Sequence, residues 1–385
     1  MRRILVAGLL LAMGAALAQE PVKIGVVGPF SGGAADYGKQ MEAGMKAWMK
    51  IHGDSVNGRK LELIVRDTGG PNPEVAKRLA QELVTRDKVD FLAGFGFTPE
   101  ALAAAPVATE SRTPMIVMNA ASSVVTTRSP YIARFSMTLP QVSAPMATWA
   151  ARNGIKKVYT LVADYAPGVD AENQFKKTFS EAGGTVVDSV RVPLKNPDFA
   201  PFVQRIKDSK PDAVFMFVPA GEQSIAFMKA FEERGLAKEG IKVIATGDLT
   251  DDDVLQSMGD PVVGVITSHH YSAHHDSPEN KAFVAAFKQV GGGLARPNFM
   301  GVGGYDGMAA MAEVVKKSGP GHIDGDKAME VLKGMKLMSP RGPISIDPAT
   351  RDIVQTVYIR RVEKSGGDYY NVEFDKFPDV KDPGK

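Results

Sequence analysis

The sequence predicts an α/β protein made of two doubly wound, parallel-sheet units. Three observations carry that expectation. Short apolar runs alternate with amphipathic segments, the order that buries a parallel sheet beneath helices on both faces. The alternation restarts near residue 140. The chain has 385 residues, more than one compact core usually holds, so two cores are expected.

The elements follow in order. Residues 22–27 are apolar but for Lys23 and read as a buried strand. Met41, Met45, Trp48 and Met49 recur at helical spacing and predict a helix over 38–51. Residues 60–65 alternate as a strand, and 73–85 read as a helix with Pro73 in its first turn. A strand at 89–93, a helix at 99–111 and a strand at 115–118 complete the first unit. The second unit has helices at 143–153, 170–182, 199–208 and 222–234, and strands at 157–162, 185–192, 213–218 and 242–245. Beyond it the pattern is less regular, with helices at 280–290, 305–318 and 327–333 and a strand at 353–362. Residues 378–385 are charged, hold Pro378 and Pro383, and are expected to be loosely held.

The first eighteen residues read as an export leader. Arg2 and Arg3 precede an apolar run over 4–12, and Ala16-Leu17-Ala18 offers the small residues of a cleavage site after Ala18. The run is too short for a stable membrane anchor, and no cysteine follows it to carry a lipid. The mature chain is therefore expected outside the cytoplasm, where nucleotide cofactors are scarce. The formal charge is +2, and the two leader arginines account for both charges. A neutral mature chain lacks the basic footprint of a nucleic-acid binder. With no cysteine in the chain, disulfides, thiol nucleophiles and thiolate metal sites are excluded.

Enzyme chemistry finds little support. The glycine-rich turn at 28–33 is not G-x-G-x-x-G, and Pro29 removes a donor that a phosphate would want. No G-x-S-x-G elbow is present, and no recognisable carboxylate pair suits glycoside hydrolysis. His269, His270, His274 and His275 form an H-H-x-x-x-H-H cluster, but the segment is polar and reads as a loop of solvated histidines. No cofactor and no resident metal are expected.

Ligands of open α/β sheets bind beyond the carboxyl ends of the strands. Three turns there have suitable chemistry. Thr98 precedes Pro99 and reads as a helix N-cap, where free N–H groups and the helix dipole can hold a carboxylate or serve the helix alone. Asn119, Ala120, Ala121, Ser122 and Ser123 follow the next strand and supply small residues and hydroxyls beside the Thr98 turn. Asp248 lies three residues past a strand of the second unit and can take an ammonium or a hydroxyl. Phe95 and Phe97 flank the first turn and suit either a ring-shaped ligand or the core.

The segment Lys23-Ile24-Gly25-Val26-Val27-Gly28-Pro29-Phe30-Ser31-Gly32 resembles the opening of the leucine/isoleucine/valine-binding family, the type I periplasmic receptors of ABC importers. The likeness continues through Tyr37-Gly38, Asp67, Gly94, Pro114, Asp164, Gly247-Asp248 and Tyr305. It implies two lobes joined by a three-crossover hinge: lobe 1 at 22–139 plus 270–350, lobe 2 at 140–269 plus 351–377. It also implies a periplasmic, non-enzymatic receptor that closes on a small carboxylate and delivers it to a membrane permease. By the family pattern Thr98, main-chain groups at Ala120 and Ala121, and the Ser122 hydroxyl would grip the carboxylate. Asp248 would take an ammonium and Tyr37 would cover the ligand; Phe97, from its place beside the Thr98 turn, and Tyr305, a point of the likeness, are further candidate contacts. Where relatives often carry a tyrosine-glycine pair, this chain has Tyr165-Ala166-Pro167-Gly168, and Ala220 stands where some amino-acid binders place an aromatic residue. Amino acids lead the expected ligands, aromatic acids follow, and amides or urea, or a role as ligand sensor for a signalling partner, are the alternatives.

Overall fold

The computed structural model describes residues 20–384; the leader and its cleavage after Ala18 lie outside them. The chain runs β1 (Val22–Gly28), α1 (Ala35–His52), β2 (Ser55–Val56), β3 (Arg59–Asp67), α2 (Pro73–Glu82), β4 (Phe91–Gly94), α3 (Thr98–Ser111), β5 (Met115–Val117) and β6 (Ile132–Arg134). It continues α4 (Leu139–Arg152), β7 (Lys157–Ala163), α5 (Ala166–Glu181), β8 (Thr185–Val192), α6 (Ala200–Ser209), β9 (Ala213–Phe217), α7 (Glu222–Glu233), β10 (Lys242–Thr246), α8 (Leu255–Met258) and β11 (Ile266–His269). Last come α9 (Pro278–Val290), α10 (Phe299–Lys317), α11 (Gly325–Leu332), β12 (Lys336–Ser339), β13 (Gly342–Ile346), β14 (Ile353–Ser365) and β15 (Asp368–Val380).

Two sheets result. The first has the order β2-β3-β1-β4-β5-β6, parallel except for the short β2 edge. The second runs β12-β13-β14-β11-β10-β9-β7-β8, with β15 on the free edge of β14. Its β8-β7-β9-β10-β11 half is parallel, and β14 turns the remainder antiparallel. This is the type I periplasmic binding protein fold. The parallel strands were legible because both faces are buried: Val22, Ile24, Val26 and Val27 are all fully inaccessible. Helix α1 packs against α10 so closely that a Cβ on Gly44 would fall 1.9 Å from the Gly301 carbonyl oxygen, so the contact requires glycine.

The chain passes between the sheets three times, before α4, after β11 and after α11. Two sequence-based expectations need correction here. Residues 336–346 were expected in lobe 1, but β13 pairs antiparallel with β14, as in Ile344 opposite Gln355, and carries β12 into the second sheet. The tail was expected to be loose from residue 378. Instead β15 pairs through Val380, and Asp382 accepts hydrogen bonds from Ser123 Oγ and Thr138 Oγ1, both at 2.9 Å. Lys381 also pairs with Asp347 at 2.8 Å, contacts that composition could not reveal.

Candidate functional site

The site lies where the carboxyl ends of the two sheets face each other. At the end of β4, Gly94 adopts φ +99° with its would-be Cβ 2.5 Å from the Val27 carbonyl oxygen, and Phe95 follows at φ +65°. This turn aims Phe95 into the core, where it is fully buried, and Phe97 into the cleft. Phe97, not Thr98, occupies the cap of α3: its N–H is taken by the Glu100 carboxylate at 3.2 Å. Thr98 is thereby the first helical residue, and its hydroxyl oxygen instead accepts the Ser122 N–H at 3.2 Å. The hydroxyl hydrogen of Thr98 remains available to an incoming anion. The Ala121 N–H has no partner among the described residues. These two donors stand side by side at the start of a helix, where the dipole favours negative charge.

A narrow cavity joins this cradle to lobe 2. Tyr37, Gly96, Phe97, Thr98, Asn119, Ala121, Met137 and Leu139 wall it from one side, and Tyr165, Pro167, Phe217, Pro219 and Asp248 from the other. Its walls are flat. The Tyr37 and Phe97 rings stack at 4.9 Å and 11°, and Tyr165 lies parallel to Phe217 at 6.1 Å and 15°. The space left open to a water-sized sphere is about 20 Å³, room for about one water, so the lobes are drawn fully together. A larger hollow beside Lys23, Arg59, Asp90 and His322 opens at the amino ends of β1 and β4, the edge away from the cleft.

Electrostatics single out Asp248. It is 5 % exposed, accepts Thr246 Oγ1 at 2.9 Å, and its carboxyl is pushed up to about 6 by burial, which outweighs that bond and the charge of Arg360. Burial, then Tyr165, Asp248 and Asp251, hold the Tyr37 phenol well above its usual range; burial and Asp248 do the same to Tyr165.

Several contacts hold the lobes shut. The Tyr37 hydroxyl donates to the Ala220 carbonyl at 3.1 Å. One oxygen of Asp170, in the second turn of α5, accepts both Ser122 Oγ at 2.6 Å and the Ser123 N–H at 3.1 Å. The run Asp251 to Asp253 turns inward: Gln40 Nε2 donates to Asp253 at 2.7 Å, and Asn298 Nδ2 donates to Asp251 at 3.2 Å and Asp253 at 3.1 Å.

The expected site residues therefore divide. Tyr37, Phe97, Thr98, Ala121, Tyr165, Pro167 and Asp248 meet at one cavity, and Ala220 sits at its mouth. Three do not take their expected places. The Ser122 hydroxyl is spent on Asp170. Ala120 uses its N–H on the Phe95 carbonyl and its own carbonyl on Arg134. Tyr305 lies on α10, bonded to His52 at 3.0 Å and packed on Phe283, away from the cleft. The expected loop of solvated histidines is corrected for two of its four members: His269 ends β11, and His269 and His270 are fully buried beneath Phe299, whereas His274 is exposed. Among the described residues no cluster of three or more His, Cys, Asp or Glu could hold a metal ion. Met137, Leu139 and Phe217 were missed, because only the folded crossover and sheet bring them to the cavity.

Two α/β lobes shut on a small, ring-walled cavity define a clamp-type receptor for a small solute. The chain belongs to the periplasmic binding protein family, which matches residues 21–368. It is 47% identical over 375 residues to the Leu/Ile/Val-binding protein homolog 6 of Brucella melitensis biotype 1, covering 97% of this chain and 96% of that one. Among solved structures it resembles an ABC-transporter solute-binding protein of Rhodopseudomonas palustris BisB5 in complex with 3,4-dihydroxybenzoic acid, at 57% identity, TM-score 0.90, and 95% and 99% coverage of the two chains. A second R. palustris solute-binding protein, in complex with 4-hydroxybenzoate, matches at 45% identity, TM-score 0.92, and 94% and 99% coverage. No helix among the described residues is long and apolar enough to cross a membrane.

Proposed function

We propose that this chain is the periplasmic, non-catalytic receptor of an ABC importer, exported after cleavage at Ala18, and that its solute is a benzoate-type acid bearing ring hydroxyls. The observation that carries the reading is the aromatic lining of the cavity, Tyr37 stacked on Phe97 and Tyr165 on Phe217, whose faces suit a planar ring better than a branched aliphatic side chain once the lobes part enough to admit it. The Thr98 hydroxyl and the Ala121 N–H would receive the carboxylate from lobe 1. Asp248, on the opposite lobe, would accept a hydroxyl from the far end of the ring. The solute-binding proteins of R. palustris that hold 3,4-dihydroxybenzoic acid and 4-hydroxybenzoate support this ordering of ligand classes. Capture by lobe 1, hinge closure and recognition of the shut form by a permease would complete the cycle.

Thermal shift of the refolded, ligand-free mature protein tests the reading. Benzoate, 4-hydroxybenzoate and 3,4-dihydroxybenzoate are compared with leucine and phenylalanine. A solute at a thousandfold excess over its Kd adds about 4 kcal/mol of stability, a clear rise in Tm. A rise with the amino acids alone would overturn the assignment. Thr98→Ala is expected to weaken the aromatic acids by about 1–3 kcal/mol, the contribution of a hydrogen bond to a charged group, and unchanged calorimetric affinity would remove Thr98 from the cradle.

The Asp170 latch makes a separate prediction. Asp170→Ala removes two bonds that exist only across the shut cleft. Dissociation of every bound solute is expected to quicken about tenfold while association changes little, as stopped-flow traces would report. A loss confined to one solute would instead place Asp170 against the ligand.

A further inference from the structure

Asn119 carries a polar atom that the fold leaves unused. Its residue is 7 % exposed and lines the cavity between Gly96 and Ala121. The Nδ2 amide donates to the Gly96 carbonyl at 2.7 Å. A carbonyl can only accept, so this bond fixes which end of the amide faces it. The Oδ1 atom is then the other end, and it is buried with no hydrogen-bond partner among the described residues. A buried acceptor left unpaired is costly, and such groups in native proteins are nearly always satisfied by something.

We propose that Asn119 Oδ1 reads a hydroxyl at the meta position of the ring, making Asn119 a specificity-determining residue. The inference rests on the benzoate-type reading above. A carboxylate cannot satisfy Oδ1, because two acceptors repel. The partner must be a donor carried by the ligand beside its anionic end, since Asn119 sits two residues from Ala121 in the same turn as the cradle. A para hydroxyl points away from the carboxylate, toward the lobe that carries Asp248. An ortho hydroxyl is already closed in an internal hydrogen bond with its own carboxylate. The meta hydroxyl is the donor that remains. A ring with both meta and para hydroxyls therefore satisfies Asn119 on lobe 1 and Asp248 on lobe 2 together, and the residue favours a catechol-type acid over a singly hydroxylated one.

Calorimetry on four ligands decides this: benzoate, 3-hydroxybenzoate, 4-hydroxybenzoate and 3,4-dihydroxybenzoate, each with the wild-type protein and with Asn119→Ala. The expected result is a gain of about tenfold in wild-type affinity for each added 3-hydroxyl, abolished in the variant. Affinity for benzoate and 4-hydroxybenzoate is the internal reference in each protein, because loss of the Gly96 bond acts on all four ligands alike. Asn119→Ser, a smaller cut into the turn, is measured beside it with the melting temperature of each variant. A uniform loss across all four ligands would make Asn119 a support for the Gly96 turn and overturn the proposal. So would a wild-type protein indifferent to the 3-hydroxyl, a result that leaves the benzoate-type function standing. Binding of none of the four would sink that function and this inference together.

Discussion

Arg341→Met is expected to destabilise the protein by about 3–5 kcal/mol, the cost of leaving one member of a fully buried ion pair without the other. Arg341 and Asp306 each have side chains only 1% exposed. Arg341 Nε and Nη2 both donate to Asp306 Oδ2, at 2.9 and 2.7 Å, and Ser339 Oγ donates to the same oxygen at 2.8 Å. The remaining Arg341 donors reach the Phe135 carbonyl at 2.7 Å and the Ser136 carbonyl at 3.2 Å. Burial drives Asp306 up and Arg341 down, and their mutual attraction opposes both shifts. The pair thus adds little over a well-packed apolar substitute, yet either member alone is a buried, unmatched charge. Its place gives it a second role. Arg341 lies in the β12–β13 turn just after the third crossover, and the carbonyls it holds precede the first crossover into α4. Two of the three connections between the lobes are tied at one guanidinium. Urea denaturation of Arg341→Met and of Arg341→Met with Asp306→Leu separates the causes. The double variant should recover much of the lost stability. A double variant no better than the worse single one would place the loss in the carbonyl contacts instead of the charge pair.

The parts of the fold readable from sequence were those where one physical rule dominates. A strand buried on both faces, such as 22–28, is apolar but for Lys23, and a helix such as α1 repeats its apolar residues at 3.6. The antiparallel part of the second sheet was not readable. Strand β12 alternates in burial, but Met338 is 63% exposed and the polar Ser339 is fully buried, so no apolar–polar alternation marks it in the sequence. The candidate site divides in the same way. Thr98, Ala121 and Asp248 follow parallel strands, and topology alone puts such turns at the ligand edge. Ser122 looked equivalent in sequence, but its hydroxyl faces a carboxylate of the other lobe, and nothing local announces Asp170. Tyr305 was expected in the cleft on resemblance alone, and the close seating of α10 on α1 places it beside His52 instead. The histidine cluster misled because polarity stood in for exposure. His269 and His270 lie where the chain leaves the second sheet for the first lobe, and a crossover between two packed lobes is buried whatever its composition.

Asp248→Asn is expected to erase the preference for a para-hydroxylated acid over plain benzoate, and to bind benzoate more tightly than the wild type does. In the shut cleft burial pushes the Asp248 carboxyl up to about 6, against an ordinary value of 3.8. Below about pH 4 the group is protonated whether the cleft is open or shut, so it does not oppose closure. As pH rises from about 4 to about 6 the open form ionises first, and closure over a carboxyl that meets no donor from the ligand must take up a proton. The penalty grows through that window and levels off above it at about 3 kcal/mol, about 100-fold in affinity. A ligand hydroxyl that donates to the carboxylate offsets it, because a hydrogen bond to a charged acceptor contributes about 1.5–3 kcal/mol. Benzoate has no such donor and feels the whole penalty. Asparagine does not ionise, so the variant escapes the penalty and forgoes the charge-assisted bond. Calorimetry between pH 5 and 8, where the benzoates are themselves ionised, should show wild-type affinity for benzoate falling about tenfold by pH 7. The variant's curve should be flatter by that amount. The same fall in both proteins would clear Asp248 and move the titration to Glu100 or Asp253, each pushed up to about 7 by burial. Asp253 bridges the lobes through Gln40 and Asn298, so Asp253→Asn would then be the variant whose closure loses its dependence on pH.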